Sequence, residues 1–349
     1  MSTPPAGAVR VHGHRRDVAL ACVVGAAVLA GCGGAATRRT QLPAAPEPAS
    51  SPPLTQPPAG RVIAVEGAPE GVVVGQGGAI ALALRNPPAL AVFDSAPTAT
   101  FRRVKLAGAA RHLALTADAR TVIIPAETAD RVVEVSLAKR RVVRSTPVGR
   151  QPHDAIEADG AIIASDELAG QVSVLRPGGS PQTLGGFVQP AGIAAAAGRF
   201  GVVDVRANVL AVYDLATLRR VATLPAGAGP THVVADGRGY LDVVDTRGGA
   251  LLTFRLRPVP ALVARLPLGG RPYGIAIDRR RQRIWIALTE RNRLLGLQLG
   301  GGQPRMIADL PTVRQPNTVA VDGASGNVYV AGATPRGTLE IITRPQARP

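Results

Sequence analysis

The sequence predicts an all-β protein whose main domain is a seven-bladed β-propeller with four strands in each blade. Two observations lead to this prediction. A short phrase recurs along the chain at nearly constant spacing, and turn signals separate short apolar runs throughout. The clearest copies are Leu266–Asp278, Leu224–Asp236, Leu310–Asp322 and Val148–Asp159. Each copy joins a strand, a turn and a second strand, so it marks one unit that packs on its neighbours.

The proline of this phrase gives the number of units. Aligned on it, the chain has seven anchor positions, spaced 42, 41, 38, 40, 42 and 44 residues apart, with arginine in place of proline at the second. The anchors are Pro69, Arg111, Pro152, Pro190, Pro230, Pro272 and Pro316. Seven anchors predict seven blades, and Asp-Gly pairs after the innermost strands predict tight hairpins.

The two ends of the repeat region predict how the ring is closed. The last unit lacks an outer strand, whereas residues 61–65 (RVIAV) form a strand-like run ahead of the first anchor. We therefore expect this N-terminal run to join the last blade and close the ring. A strand from the other terminus would cover the free sheet edge.

Composition agrees with a strand-rich fold and excludes some functions. Hydrophobic residues make up 46% of the chain but aromatic residues only 3%, so the core must consist of Val, Ile, Leu and Ala. The formal charge of +16 comes from scattered arginines without interleaved aromatic residues, so we expect no nucleic-acid binding. The high arginine content has two possible explanations. It reflects a general bias of the chain toward arginine and alanine, or it attracts the domain to an anionic lipid or wall polymer.

Residues 1–32 are predicted to be a lipoprotein signal peptide. A basic stretch precedes an apolar run at residues 18–29 that is short for a bilayer span. The run ends in LAGC at residues 29–32, which resembles the lipobox of bacterial lipoproteins. The resemblance implies export, lipidation (palmitate) of Cys32, and anchoring on the outer, extracytoplasmic side of the cell membrane. An ordinary secretory signal or a short membrane anchor is the alternative.

Residues 33–60 are expected to be a disordered tether, and residues 61–349 the propeller. Seven prolines lie between Pro43 and Pro58 among small and polar residues. Such a segment cannot bury enough apolar surface to fold by itself. Proline-rich chains extend by roughly 3.1 Å per residue, so the tether would hold the domain up to about 90 Å from the membrane.

The repeats resemble the YVTN-type β-propeller repeats of bacterial surface and periplasmic proteins, which are related to NHL and gluconolactonase-like propellers. Three runs carry the resemblance: Gly269–Ile277, Asp322–Val330 and Gln171–Leu175. They follow the patterns V-G-x-x-P-x-G-V-A-V, D-G-x-x-V-Y-V and V-S-V-I-D, although the Thr-Asn that follows Tyr-Val in the family is absent. The resemblance covers about residues 61–345. It implies a propeller, and because the family serves many roles it implies no single activity.

Polar residues directly after the anchors are the candidate ligand-binding positions. They should converge at one mouth of the central channel, because the innermost strand of each blade begins there. The candidates are Glu70, His112, His153, His232, Tyr273 and Asn317. Histidine with a carboxylate suits zinc or another divalent ion, so Glu70, His112 and His153 are the metal candidates. The alternative is that these side chains are solvated and cap backbone groups at the turns.

A second, acidic set follows the second strand of the units. It fits either turn formation, through hydrogen bonds to backbone amides, or a hard-cation site. The set consists of Glu127, Asp166, Glu167, Asp204, Asp245 and Glu290. The sequence has no Gly-x-Ser-x-Gly elbow and no phosphate loop, and its two cysteines, Cys22 and Cys32, lie near the N-terminus. We therefore predict neither nucleophilic catalysis nor a cysteine-based metal site in the main domain.

These observations favour a non-catalytic binding module, a monomeric lipid-anchored propeller that recognises a protein, a peptide or an envelope polymer. No resident cofactor is predicted, apart from a divalent metal at the candidate residues. The alternative is a metal-dependent channel enzyme that resembles gluconolactonase or streptogramin lyase. Pro152-His153 echoes the Pro-His-Gly-Ile anchors of the lyases, and Glu70 with Asn317 would suit a gluconolactonase-like ligand pair. The Val-Trp-Phe strand of the lyases is absent.

Overall fold

The computed structural model describes residues 42–94, 100–300 and 303–345. Over these ranges the chain forms 28 β-strands in seven antiparallel sheets of four strands, with no α-helix. The predicted seven-bladed propeller of four-stranded blades is therefore confirmed. The expected signal peptide and Cys32 lie outside the described residues. Within the described residues there is no helix long and apolar enough to cross a membrane.

The first four blades follow the order expected from the anchors. The first consists of β2 (Pro69–Val74), β3 (Ile80–Arg85), β4 (Pro88–Phe93) and β5 (Arg102–Lys105). The second consists of β6 (Ala114–Leu115), β7 (Thr121–Ala126), β8 (Arg131–Ser136) and β9 (Arg141–Pro147). The third consists of β10 (Pro152–Ala158), β11 (Ala161–Asp166), β12 (Gln171–Leu175) and β13 (Gln182–Gly185). The fourth consists of β14 (Pro190–Ala196), β15 (Arg199–Asp204), β16 (Val209–Asp214) and β17 (Arg220–Pro225).

The remaining blades repeat the same order, and the last borrows its outer strand. The fifth consists of β18 (Pro230–Ala235), β19 (Tyr240–Asp245), β20 (Ala250–Arg255) and β21 (Ala261–Pro267). The sixth consists of β22 (Pro272–Asp278), β23 (Arg283–Leu288), β24 (Arg293–Gln298) and β25 (Arg305–Pro311). The seventh consists of β26 (Pro316–Val321), β27 (Val328–Gly332), β28 (Thr338–Ile342) and β1 (Arg61–Ala64). Single 3₁₀ turns occupy Gln76–Gly78, Glu127–Ala129, Glu167–Ala169 and Thr289–Arg291.

Strand β1 pairs antiparallel with β28 and forms the outer edge of the sheet that β26, β27 and β28 begin. Ile63 lies opposite Leu339 in this pairing, and both side chains are buried in one apolar cluster. The N-terminal strand expected over residues 61–65 is thus observed at residues 61–64, beside the last blade.

The hydrophobic core lies between the blades rather than at one centre. Seven buried clusters each combine side chains from two neighbouring blades. Phe254, for example, packs with Val203 of the preceding blade, and Trp285 packs with Val330 of the following one. Because every blade buries both faces against a neighbour, short Val- and Ala-rich strands suffice to build a core with few aromatic residues.

Residues 42–60, named here the covering segment, differ from the disordered tether expected over residues 33–60. They have no regular secondary structure, yet propeller side chains hold them against the domain. Arg206 and Arg247 donate to the carbonyl groups of Pro43 and Ala44, and Gln315 donates to that of Ala49 at 2.8 Å. Proline lacks an amide donor and cannot extend a sheet, so loop side chains supply the donors that these carbonyl groups need.

Candidate functional site

The candidate residues lie at the end of the ring where the innermost strands begin, named here the anchor face. Glu70, His153, His232, Tyr273 and Asn317 are on β2, β10, β18, β22 and β26, and His112 lies two residues before β6. The anchors therefore place all six residues at one end of the ring, and His112, His232 and Asn317 line the channel cavity there.

Three of the candidates, His112, His153 and His232, form a cluster named here the histidine trio. One ring nitrogen from each lies within 4.8 Å of the other two, and the Nε2 atoms of His112 and His232 are 3.0 Å apart. His153 and His232 are buried, and His112 is half-buried. The three residues come from the second, third and fifth blades, so they meet because their side chains point toward the channel axis.

In two of these histidines, a contact to Nδ1 fixes the orientation of the ring. His153 Nδ1 lies 3.1 Å from Glu167 Oε2, and Gln189 donates to the second oxygen of Glu167 at 2.7 Å. His232 Nδ1 lies 2.8 Å from the carbonyl oxygen of Tyr273. A carbonyl group and a carboxylate can only accept, so both Nδ1 atoms carry the proton. This leaves Nε2 of His232 as an acceptor.

Burial governs the charge of the trio. It lowers the pKa of His232 to about 3, and burial together with the neighbouring histidines lowers the pKa of His112 well below its usual value. Burial also acts to lower the pKa of His153, but the hydrogen bond and charge of Glu167 outweigh it and raise this pKa. Burial acts to raise the pKa of Glu167, and the contact with His153 lowers it to about 2.

Glu70 lies apart from the trio and faces Asn317 across the junction between the first and last blades. Asn317 Nδ2 donates to Glu70 Oε1 at 3.3 Å. Burial raises the pKa of Glu70, and the charges of Arg111 and Arg85 oppose the increase. Of the metal candidates Glu70, His112 and His153, the structure thus brings the two histidines together and places His232, rather than Glu70, beside them.

Arg111, the residue that replaces an anchor proline, connects three parts of the site. Its Nε lies 3.0 Å from Oε1 of the buried Glu127, and its Nη1 lies 3.0 Å from Glu47 of the covering segment. Arg85 also pairs with Glu127, at 2.9 Å. Sequence reasoning did not predict this ion-pair network, although the missing proline was the signal for it.

The acidic set is spread over five blades, and two of its members stabilise turns through backbone amides. Asp204 and Asp245 accept from backbone amides, including Val188 N at 2.7 Å and Gly229 N at 2.8 Å. Glu290 is exposed. Among the described residues, the histidine trio is the one group of three or more potential ligands that is close enough for a metal ion.

His112 and His232 of the trio line the inner end of a channel cavity of about 390 Å³. Val234, Ile277 and Ile156 contribute apolar wall, and the polar end is formed by His112, His232, Asp154 and Asn317. Asp154, which the sequence did not single out, accepts from Ala155 N and Ile193 N, and burial raises its pKa to about 6. The same walls continue into an opening of about 700 Å³ at the far end, which Glu157 and Arg279 flank.

Comparison with known proteins supports the fold alone. No protein-family model matches the chain, and no curated protein matches its sequence. A streptogramin B lyase structure matches with a TM-score of 0.69 and 13% identity, over 80% of this chain and 97% of that one. Virginiamycin B lyase from Staphylococcus aureus matches with a TM-score of 0.68 and 12% identity, over 80% of this chain and 98% of that one. Hydrazine synthase from Kuenenia stuttgartiensis matches with a TM-score of 0.67 and 14% identity, over 80% of this chain and 96% of that one. The YVTN resemblance stays a prediction.

Proposed function

We propose that this chain is a lipid-anchored, outward-facing propeller that binds a ligand without converting it. The binding site is the central channel, entered from the end opposite the covering segment. The observation that carries the proposal is the form of the channel, which has apolar walls, a polar inner end and a wide outer opening. Small-molecule sites have this combination of apolar lining and a few converging polar groups, and the volumes of cavity and opening lie in their usual range.

The covering segment supports entry from the far end. Within a few residues it contacts the fifth blade through Ala44, the second through Glu47 and the sixth through Ser51. It therefore crosses the anchor face from one side of the ring to the other. A ligand approaching from this side would have to displace it.

Lipidation of Cys32 would orient the propeller with this same face toward the membrane. Nine residues lie between Cys32 and Leu42, and the fully extended chain from one to the other reaches about 35 Å. The loops of the anchor face carry six exposed arginines and three exposed acids. The arginines are Arg150, Arg247, Arg271, Arg291, Arg314 and Arg336. Such a basic surface is attracted to anionic lipid, and it leaves the open channel mouth facing outward.

The anchoring part of the proposal is tested by replacing Cys32 with serine. The wild-type protein should stay with the membrane fraction, and mass spectrometry should find its mature N-terminus at a lipid-modified Cys32. The Cys32→Ser variant should appear in the medium or periplasm. A wild-type protein that carries no lipid at Cys32 would contradict the proposal.

The channel part is tested with the amphipathic dye 8-anilinonaphthalene-1-sulfonate in a full-length chain whose two cysteines are serine. In this background Val234→Cys places one thiol on the channel wall, and Val221→Cys places one on an exposed outer strand. A bulky maleimide on position 234 should abolish dye fluorescence, and the same group on position 221 should leave it unchanged. Unchanged fluorescence after modification of position 234 would contradict channel binding.

A second function, a metal-dependent channel enzyme, is favoured by one observation. Two members of the histidine trio, His112 and His232, line the inner end of the channel, in a fold shared with lyases. The test is incubation of the protein with quinupristin, the compound bound in a further virginiamycin B lyase structure, in the presence of divalent metal. Mass spectrometry should find the compound unchanged. Conversion that is lost in His232→Gln would replace the binding proposal with the enzyme.

A further inference from the structure

We propose that His112, His153 and His232 bind one transition-metal ion, represented by Zn²⁺, beneath the covering segment. This site lies at the inner end of the channel and does not depend on the channel ligand of the proposed function. Three imidazole nitrogens without a carboxylate suit Zn²⁺, Cu²⁺ or Ni²⁺ rather than Mg²⁺ or Ca²⁺, which prefer oxygen ligands.

The spacing of the nitrogens is close to that of a tetrahedral site. Zinc binds histidine nitrogen at about 2.0–2.1 Å, which places two ligand nitrogens roughly 3.3 Å apart. The Nε2 atoms of His112 and His232 are 3.0 Å apart, and no pair in the trio exceeds 4.8 Å. Small rotations of the rings therefore complete a three-nitrogen site. The fourth position faces the channel, where a water molecule or a ligand can occupy it.

The second ring nitrogens of His153 and His232 are held as in known metal sites. Metal-bound histidines usually donate their other N–H to a carboxylate or a carbonyl group, which fixes the tautomer and the ring orientation. Here Glu167 accepts from His153 Nδ1, and the carbonyl oxygen of Tyr273 accepts from His232 Nδ1. Both arrangements direct an Nε2 lone pair away from the anchoring group.

Of the three ligands, His112 is the one whose tautomer must change when the metal binds. His232 Nε2 is an acceptor, so His112 Nε2 carries the hydrogen atom between them. The ion takes the place of this hydrogen atom, and His112 changes to the tautomer with its proton on Nδ1. If His153 is doubly protonated, binding also releases its Nε2 proton to solvent. The positive charge of the adjacent Arg111 is offset by Glu127 and Glu47, which limits repulsion of the ion.

The experiment uses the full-length protein in detergent, dialysed free of metal and titrated with Zn²⁺ and with Co²⁺. Calorimetry should give one Zn²⁺ per chain, and Co²⁺ should produce the visible absorption of a tetrahedral nitrogen site. Zn²⁺ should also raise the melting temperature as its concentration increases. His153→Gln and His232→Gln should each lose these responses. Glu167→Gln should weaken Zn²⁺ binding about 10- to 100-fold, as expected for a residue that orients a ligand.

The control is the double variant His12→Ala/His14→Ala of the unprocessed chain, which removes the other two histidines present before signal cleavage and should bind Zn²⁺ like the wild type. Folding of the variants is checked by circular dichroism, and the wild-type titration does not depend on it. If the metal-free wild type binds no Zn²⁺ at its trio, or binds equally well after His232→Gln, the trio is a hydrogen-bonded plug and the proposal fails. A wild-type protein that binds no Zn²⁺ but still binds the dye in its channel would refute the metal site alone, so the two proposals fail separately.

Discussion

Arg111 and Glu127 form a buried ion pair at the second anchor, with Nε 3.0 Å from Oε1. Glu127 is 4% exposed and also pairs with Arg85 of the first blade, so one carboxylate joins two blades. Arg111 occupies the anchor position at which the other blades have a proline, and it forms this ion pair there. β6, which begins three residues after Arg111, is the shortest inner strand among the described residues.

Replacement of Glu127 by glutamine should strongly destabilise the propeller. The change removes the carboxylate that pairs with Arg85 and leaves Arg111 with the exposed Glu47 alone. Removing one partner of such a buried network costs about 3–5 kcal/mol in the free energy of unfolding. Urea denaturation measures the effect. The control is Glu134→Gln, which removes an ion pair of 3.6 Å with the exposed Arg144 and should cost less than about 1 kcal/mol. Equal effects of the two variants would contradict the role of Glu127.

Replacement of Ser51 by alanine should release the covering segment while leaving the propeller folded. The buried Ser51 hydroxyl donates to Thr289 O at 2.6 Å and accepts from Gln315 N at 3.1 Å. Its loss removes the hydroxyl donor from the carbonyl of the buried Thr289 and leaves Gln315 N with Asn292 Oδ1 alone, at a cost of about 1–3 kcal/mol. Limited proteolysis should therefore cleave residues 42–58 faster in this variant. Ser50→Ala changes an exposed neighbour, so unchanged cleavage in Ser51→Ala or equal cleavage in both variants would contradict the prediction.

Substitution of the buried Ile63 of β1 should lower thermal stability more than substitution of the exposed Val62. Ile63 is 4% exposed and Val62 is 40% exposed, so the same substitution by asparagine tests burial directly. Ile63→Asn should cost about 2–5 kcal/mol and promote aggregation, because it weakens the strand that covers the edge of β28. Val62→Asn should change thermal stability little. Similar melting temperatures for the two variants would show that β1 does not hold the last blade.

Asp242 should make stability fall as pH rises. Burial raises its pKa to about 7, and its Oδ2 has no hydrogen-bond partner among the described residues. Between about pH 4 and pH 7 the folded state keeps a proton that the unfolded state has lost, so unfolding becomes easier as pH rises through this range. Asp242→Asn cannot ionise and keeps an acceptor for Thr253.

The variant should therefore gain stability relative to the wild type between pH 4 and pH 8, by at most about 4 kcal/mol. Urea denaturation at several pH values measures the difference. Two parallel curves of unfolding free energy against pH would show that Asp242 is not protonated in the folded state at neutral pH.

The blades were predictable because each one repeats the same local pattern, with a proline at the start of the inner strand. The position of the covering segment against the propeller could not be predicted from the sequence. Its composition argues for disorder, and the donors that hold it, such as Arg247 and Gln315, lie far away in the sequence. Such contacts leave no local signal.

The site was predictable in part for the same reason. The anchors place polar residues at one channel mouth, but they do not reveal which side chains meet across it. Neighbouring blades suggested Glu70 with His112 and His153, whereas His232 reaches His112 from the far side of the channel. The contact of Glu167 with His153 also depends on the pairing of β10 with β11, which brings two separate sequence positions together.

The most direct test of the binding proposal is the rate at which N-ethylmaleimide modifies a single introduced cysteine at either end of the channel. Val234→Cys lies on the wall near the open mouth, and Thr231→Cys lies at the covered anchor face, where Thr231 is 4% exposed. Position 234 should react much faster than position 231, and added dye should slow its reaction. Faster reaction at position 231, or no protection of position 234 by the dye, would contradict a ligand channel that opens away from the covering segment.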